Sequence, residues 1–265
     1  MKRIIAGAVL SVFCALAQAA VKGEEVQYKV GEQVFKGYIA YDDAKKDKRP
    51  GVLVVHEWWG HNEYARKRAR MLAELGYTAL ALDMYGDGKQ AHHPDEAGKF
   101  AGEVRQNMEA AKARFVAAED LLKKHATVDA TRVAAIGYCF GGAVVLQMAR
   151  AGVDLKGVAS FHGSLGTASP AAKGMVKAKV FVANGADDSF VKPEEVAAFK
   201  QEMDVAGVDY KFVNYAGAKH SFTNTDADEY AKKFNMPLAY NAEADKQSWS
   251  EMQAFFKKIF WRDSD

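Results

Sequence analysis

Short apolar runs that alternate with amphipathic stretches constrain the fold of this chain more than any other feature of its sequence. The runs are typical of buried strands, and the stretches between them have helical periodicity. Parallel strands need long crossover connections, which are usually helices, so this alternation predicts an α/β fold with a mostly parallel sheet covered on both faces. Strands are predicted at 52–55, 78–82, 133–136, 157–161, 179–183 and 210–213, and helices at 63–75, 94–125, 141–151, 193–206 and 245–260.

Two further segments complete the predicted organisation of the chain. Residues 26–39 alternate in polarity around Gly31 and predict an N-terminal hairpin, whereas 223–244 is polar and tyrosine-rich and predicts a long loop beside the site. The chain has 265 residues, and 49% of them are hydrophobic. A single core is sufficient for this length, so we expect one domain over 20–265.

The first nineteen residues have the composition of a secretory signal. Lys2 and Arg3 precede an apolar run over 4–16, and Ala17-Gln18-Ala19 follows it. A charged start, a short apolar run and small residues at a cleavage point predict a signal peptide over 1–19. We therefore expect an exported protein, periplasmic or secreted, that is free of the membrane after cleavage. Cys139 is then the one cysteine of the mature chain and has no internal disulfide partner.

The charge balance argues against binding to nucleic acid. The chain has 36 basic and 34 acidic residues and a formal net charge of +2. Binding to phosphates by counterion release needs clustered Lys and Arg side chains, which are not seen here. We expect a monomer whose partner is a small-molecule ester or lactone.

The segment over 137–142, Gly-Tyr-Cys-Phe-Gly-Gly, follows the third central strand and precedes a predicted helix. A nucleophile between glycines at a strand-to-helix turn is typical of a sharp elbow, where the glycines let neighbouring backbone pass closely. The helix N-terminus stabilises a thiolate, and the N–H of Phe140 can donate to an oxyanion. A small buried cysteine is the alternative interpretation. The three glycines favour Cys139 as the nucleophile.

Two later strands are followed by an acid and then by a histidine. Gly185-Ala186-Asp187-Asp188 comes after 179–183, and Ala218-Lys219-His220-Ser221-Phe222 comes after 210–213. Nucleophile, acid and histidine in this order are the arrangement of α/β-hydrolases. His220 would be the general base, oriented by a carboxylate on its other nitrogen. The pattern does not decide between Asp187 and Asp188.

His56-Glu57-Trp58-Trp59-Gly60-His61 follows the first central strand. The second oxyanion donor is normally found at this place, and the N–H of Trp58 is the candidate. Zinc is the alternative, because the segment is similar to H-E-x-x-H. However, the two histidines are five positions apart, not four, and the segment leaves a strand. We predict neither a metal nor a cofactor.

These four segments resemble the dienelactone hydrolase family of α/β-hydrolases, and the likeness runs from about Val26 to the final helix. The cysteine elbow is the most specific of them. The resemblance implies an α/β-hydrolase fold in which Cys139 is the nucleophile, Asp188, the last residue of G-x-x-D, is the acid, and His220 is the base. It also implies that Glu57 lies beside the thiol and helps to control its protonation before substrate arrives.

The sequence departs from that family at two substrate-binding arginines. Asp87 stands at one motif position, after the D-x-Y segment at 83–85, and Asn224 stands at the other, past H-S-F. Without two guanidinium groups the bidentate grip on a carboxylate is lost, so a neutral or differently charged ester or lactone is expected. The candidate pocket residues are Trp59, Tyr85 and Asn224.

The predicted activity is hydrolysis of a carboxylic ester or lactone through an acyl-thioester on Cys139. A thioesterase or peptidase that uses the same three side chains is one alternative. A non-catalytic binding protein or thiol sensor is the other, since a fold does not determine a function.

Overall fold

The computed structural model describes residues 21–261, so the predicted signal peptide over 1–19 lies outside the described residues. Within this range the chain forms an eight-stranded sheet with the order β1-β2-β4-β3-β5-β6-β7-β8. The strands are β1 (Val21–Val30), β2 (Gln33–Asp42), β3 (Arg49–Val55), β4 (Thr78–Leu82), β5 (Val128–Tyr138), β6 (Gly157–Phe161), β7 (Lys179–Gly185) and β8 (Tyr210–Tyr215).

The strands from β3 onward pair in parallel. The first two strands form the expected antiparallel hairpin, which turns at Gly31 with a φ of 57°, and β2 joins β4 antiparallel. Glycine adopts this left-handed backbone without a steric penalty. The predicted α/β-hydrolase class, with a mostly parallel central sheet, is confirmed.

Helices cover both faces of the sheet and bury its apolar side chains. They are α1 (Glu63–Glu74), α2 (Pro94–Gln106), α3 (Met108–Lys124), α4 (Phe140–Arg150), α5 (Pro193–Ala206), α6 (Ala227–Phe234) and α7 (Ala242–Phe260). Side chains of α3, α4 and α5 belong to one apolar core, and those of α1 and α7 belong to a second. Among residues 21–261, no helix combines the length and the apolar character needed to cross a bilayer.

The structure corrects two expectations about secondary structure. The single helix expected over 94–125 is two helices, because the chain leaves helical geometry at Asn107, where φ is −130° and ψ is 81°. The Asn107 side chain accepts a hydrogen bond from the amide of Ala110 and caps α3, a role that asparagine favours over a helix interior. The loop expected over 223–244 contains α6, two of whose aromatic side chains pack on Trp59.

The carboxyl ends of the parallel strands lie at one edge of the sheet, where open α/β sheets bind ligands. The chain after β3 carries Glu57 and Trp58, and the chain after β5 carries Cys139. The segments after β7 and β8 carry Asp188 and His220. Four segments that are distant in sequence therefore meet at the same place.

Candidate active site

Cys139 occupies a strained turn between β5 and α4. Its φ of 53° and ψ of −115° are unusual for a residue with a side chain, and strain of this kind is concentrated at functional sites. A Cβ on Gly137 would collide with the carbonyl oxygen of Gly141, and a Cβ on Gly141 would collide with that of Val55. The glycines are thus required by the close passage of backbone at the elbow.

Cys139, His220 and Asp188 are joined by hydrogen bonds. Nε2 of His220 lies 3.1 Å from Sγ of Cys139, and Nδ1 lies 2.8 Å from Oδ2 of Asp188. Burial alone would lower the pKa of His220, but a negative sulfur and the bond to Asp188 outweigh it and raise this pKa to about 10. The raised pKa therefore favours an imidazolium on His220 at neutral pH, and the hydrogen bond to Asp188 sets the orientation of the ring.

The geometry separates the two neighbouring aspartates. Asp188 is buried, its Oδ1 accepts the amide of Phe190 at 2.9 Å, and its Oδ2 faces His220. Asp187 is exposed. Of the two aspartates, only Asp188 therefore has its carboxylate hydrogen-bonded to the imidazole of His220.

The backbone around Trp58 is arranged to present an N–H group. The carbonyl oxygen of Glu57 receives hydrogen bonds from Nδ1 of His56 at 2.6 Å and from the amide of Gly60 at 3.1 Å. Because a trans peptide is planar, these bonds direct the Trp58 N–H of the same peptide to the opposite side. Phe140 begins α4, so its N–H has no partner within that helix. Both residues line the cavity that contains Cys139.

The structure shows no hydrogen bond between Glu57 and Sγ of Cys139, and both oxygens of the Glu57 carboxylate are bonded to other groups. One carboxylate oxygen accepts from Nδ2 of Asn224 at 2.6 Å, and the other accepts from the Ser221 hydroxyl at 3.2 Å. Burial raises the pKa of Glu57, and these two bonds offset part of the rise. The carboxylate joins the turn that carries Trp58 to the loop that carries His220.

Replacing Glu57 with glutamine should stabilise the protein at high pH. Its folded-state pKa lies above the ordinary 4.5, so the wild type loses stability as pH rises from that value through the folded pKa. Glutamine keeps an acceptor for Asn224 without the buried charge. We expect E57Q to melt about 3 °C higher than the wild type at pH 8 and no higher near pH 4.

Thermal unfolding followed by circular dichroism at several pH values measures this difference. Glu103 is exposed on α2, so Glu103→Gln makes the same change of charge without desolvation and should show no such trend. A lower melting temperature for E57Q at every pH would contradict the prediction.

A cavity of about 450 Å³ opens beside Cys139 and His220. Apolar side chains from α2, the start of α4 and the chain after α6 form most of its wall, and a volume of this size accepts a small organic ligand. Arg105 also lines the cavity, and its Nε donates to the carbonyl of Ala101. Sequence reasoning missed Arg105, because its position on α2 carries no motif. The apolar lining residues are Trp58, Ala101, Val104, Met108, Phe140, Ala143, Val144, Ala168, Phe190, Met236 and Leu238.

The three residues expected in the pocket do not line this cavity. The Trp59 ring is buried against Tyr230, with ring centroids 4.6 Å apart. The Tyr85 hydroxyl donates to the carbonyl of Trp58 at 2.9 Å, and Asn224 is engaged by Glu57. Each of the three instead packs against or hydrogen-bonds to a neighbouring residue, so its ring or polar group is not available to a ligand.

His162 is a functional candidate that the sequence analysis overlooked. It directly follows β6, is fully buried, and lies with its ring centroid 5.4 Å from that of His220. Its Nδ1 accepts a hydrogen bond from the amide of Cys139 at 3.1 Å. Inspection of the residue after every central strand would have found it. Among residues 21–261, no cluster of three His, Cys, Asp or Glu side chains is suited to hold a metal ion.

Comparisons with known proteins find a matching family and similar sequences. The model of the dienelactone hydrolase family matches residues 35–260. A putative carboxymethylenebutenolidase of Aquifex aeolicus is 26% identical over 89% of this chain and 98% of its own.

Two solved structures are closer in sequence. The one named m3DLH is 37% identical, with a TM-score of 0.86 over 91% of this chain and 99% of its own. A dienelactone hydrolase-like promiscuous phosphotriesterase from metagenomic libraries is 36% identical, with a TM-score of 0.84 over the same shares of the two chains.

Proposed function

Because this chain belongs to the dienelactone hydrolase family, we propose that it hydrolyses a carboxylic ester or lactone with Cys139 as the nucleophile. The observation that carries the proposal is the hydrogen-bonded line from Asp188 through His220 to the sulfur, beside a cavity of ligand size. A reactive sulfur, a base oriented by a carboxylate and two backbone donors are the groups that acyl transfer needs.

In the first half of the proposed reaction, Sγ of Cys139 attacks the carbonyl carbon, and the N–H groups of Trp58 and Phe140 stabilise the oxyanion. Collapse of the tetrahedral intermediate forms a thioester and breaks the bond to the alcohol oxygen. The leaving oxygen takes the Nε2 proton of the His220 imidazolium.

In the second half, neutral His220 removes a proton from water, which attacks the thioester carbonyl. The carbon–sulfur bond then breaks and releases the acid, and the thiolate–imidazolium pair forms again. Asp188 stays hydrogen-bonded to Nδ1 throughout and holds the orientation of the ring.

The cavity wall supports a substrate with an apolar acyl or aryl group. Arg105 adds a positive charge at the wall, and at the two positions where the family has arginines this chain has Asp87 and Asn224. Asp87 pairs with Lys36 at the surface, and Asn224 binds Glu57. A single cation favours an anionic group over a neutral one by a modest factor, about fivefold for an exposed pair.

A panel of reporter substrates tests the proposed function. It contains p-nitrophenyl butyrate, the p-nitrophenyl half-ester of glutaric acid, a butyryl thioester, a peptide p-nitroanilide and a neutral aryl phosphotriester. We expect the two carboxylic esters to be turned over fastest, with the half-ester ahead. Intact-mass measurement during turnover should detect an acyl adduct, and peptide mapping should locate it on Cys139.

Each alternative has its own outcome in this panel. Faster turnover of the thioester or the anilide would make the protein a thioesterase or a peptidase. A thiol that is alkylated readily while no member of the panel is hydrolysed would make it a thiol sensor. Preference for the phosphotriester would move it toward the activity named for its structural neighbour.

A further inference from the structure

We propose that His162 is a positioning residue for the nucleophile, which holds the amide of Cys139 through Nδ1 so that the sulfur faces His220. This inference rests on the proposed function, because it assigns the role of His162 in the same site. His162 has no place in the proton transfers described above.

The position of His162 is tightly constrained. It follows β6 with a φ of 41°, in the left-handed region, and it is fully buried. Its ring packs edge-on against the rings of His220 and Phe222, with centroids 5.4 and 5.3 Å away. The backbone of His162 is strained and its ring has no contact with solvent, so its hydrogen bonds determine which ring nitrogen carries the proton.

Those hydrogen bonds allow only one neutral tautomer. The amide of Cys139 donates to Nδ1 at 3.1 Å, so Nδ1 carries no proton. Nε2 therefore carries it and donates to the Thr223 hydroxyl at 2.7 Å, which in turn lies 2.6 Å from the Tyr64 hydroxyl.

The charged groups around His162 also keep it neutral. Burial and the positive charges of His220 and Arg68 hold the pKa of His162 well below its ordinary value. An imidazolium here would carry a proton on Nδ1, lose the bond from Cys139 and repel the His220 cation. The ring therefore remains an acceptor while His220 takes up and releases its proton.

The amide of Cys139 has two acceptors. It also donates to the carbonyl of Phe161 at 3.0 Å, as part of the pairing of β5 with β6. Loss of His162 would thus leave the amide bonded but free to turn toward the strand. Because Sγ and Nε2 of His220 are 3.1 Å apart, a small rotation of this strained residue breaks their contact.

Three variants test the role of His162. His162→Asn places Oδ1 near the position of Nδ1 and tolerates a left-handed backbone, whereas His162→Leu removes the acceptor. Thr223→Val keeps the imidazole but takes away the acceptor of its Nε2 proton, and it serves if the leucine variant fails to fold. Thr225→Val is the matched control, since Thr225 is exposed.

Two rates are measured, the turnover of p-nitrophenyl butyrate and the alkylation of Cys139 by iodoacetamide without substrate. We expect His162→Leu to lower kcat about 30-fold with KM changed less than about twofold, and to slow alkylation about tenfold. Thr223→Val should lower kcat about fivefold, and His162→Asn should stay within about threefold of the wild type. The control should match the wild type.

Equal losses for the asparagine and leucine variants would overturn the proposal, as would a rise in KM at constant kcat. Wild-type rates for the leucine variant or, should that variant not fold, for Thr223→Val would overturn it as well. The alkylation rates also separate the positioning role of His162 from the proposed ester hydrolysis. If the wild type hydrolyses no ester, the proposed function fails, and the alkylation rates still decide whether His162 positions the sulfur.

Discussion

Replacement of Cys139 with alanine is expected to abolish ester hydrolysis, with kcat lowered by at least about 10⁴-fold. Without the sulfur no acyl-enzyme forms, and the oxyanion donors alone recover little of the rate. Alanine has the same Cβ as cysteine, so the strain at a φ of 53° is unchanged. The melting temperature should therefore remain within a few degrees of that of the wild type. Steady-state turnover of p-nitrophenyl butyrate and thermal unfolding measure the two quantities.

Serine at the same position is the matched variant. A hydroxyl lies within reach of Nε2 of His220 but is a far weaker acid than a thiol, so the resting ion pair is lost. We expect Cys139→Ser to retain slow turnover, about 10²- to 10³-fold below the wild type, and to form an oxygen ester with the acyl group. Unchanged activity in the alanine variant would refute the assignment of the nucleophile.

Replacement of Asp188 with asparagine is expected to lower kcat about 10³- to 10⁴-fold while the fold is preserved. The asparagine amide donates to Nδ1 of His220, which forces the proton onto Nε2 and leaves that nitrogen unable to accept one. The hydrogen bond that Nδ1 of His220 donates to Asp188 also helps to raise the pKa of His220 to about 10. Without it the imidazolium is lost at lower pH, so the alkaline limb of kcat/KM should move toward neutrality.

Asp187→Asn is the control, because it makes the same chemical change one residue away on an exposed side chain. Its kcat and its pH profile should match those of the wild type. The two variants also test which of the two aspartates is the acid, a choice that the sequence pattern left open. A large loss in Asp187→Asn with little change in Asp188→Asn would reverse the assignment of the acid.

Much of the site could be predicted because its defining patterns are local. The elbow over 137–142 depends on glycines within a few residues of Cys139, and steric collisions make each of them necessary. His220 was located by its place after a central strand, since strand ends share one edge of a parallel sheet. The order of the motifs was sufficient to identify the family, and the match of the family model over 35–260 confirms it.

Other features depended on partners that are far away in sequence. Glu57 and Asn224 are 167 positions apart, and their hydrogen bond was not visible in either motif. The resemblance implied a carboxylate beside the sulfur, and it gave no sign that the Ser221 hydroxyl and the Asn224 amide bind this carboxylate. Arg105 reaches the cavity wall only because α2 packs there, and His162 gains its role from the amide of Cys139.

By itself the sequence determined the alternation of strands and helices and the glycine-rich elbow that carries Cys139. Hydrophobic periodicity and glycine sterics act over a few residues, so they can be read along the chain. Only the tertiary structure decided which aspartate faces His220, where Glu57 is bound and which side chains line the cavity. These depend on side-chain direction and on packing between distant segments, which local patterns do not encode.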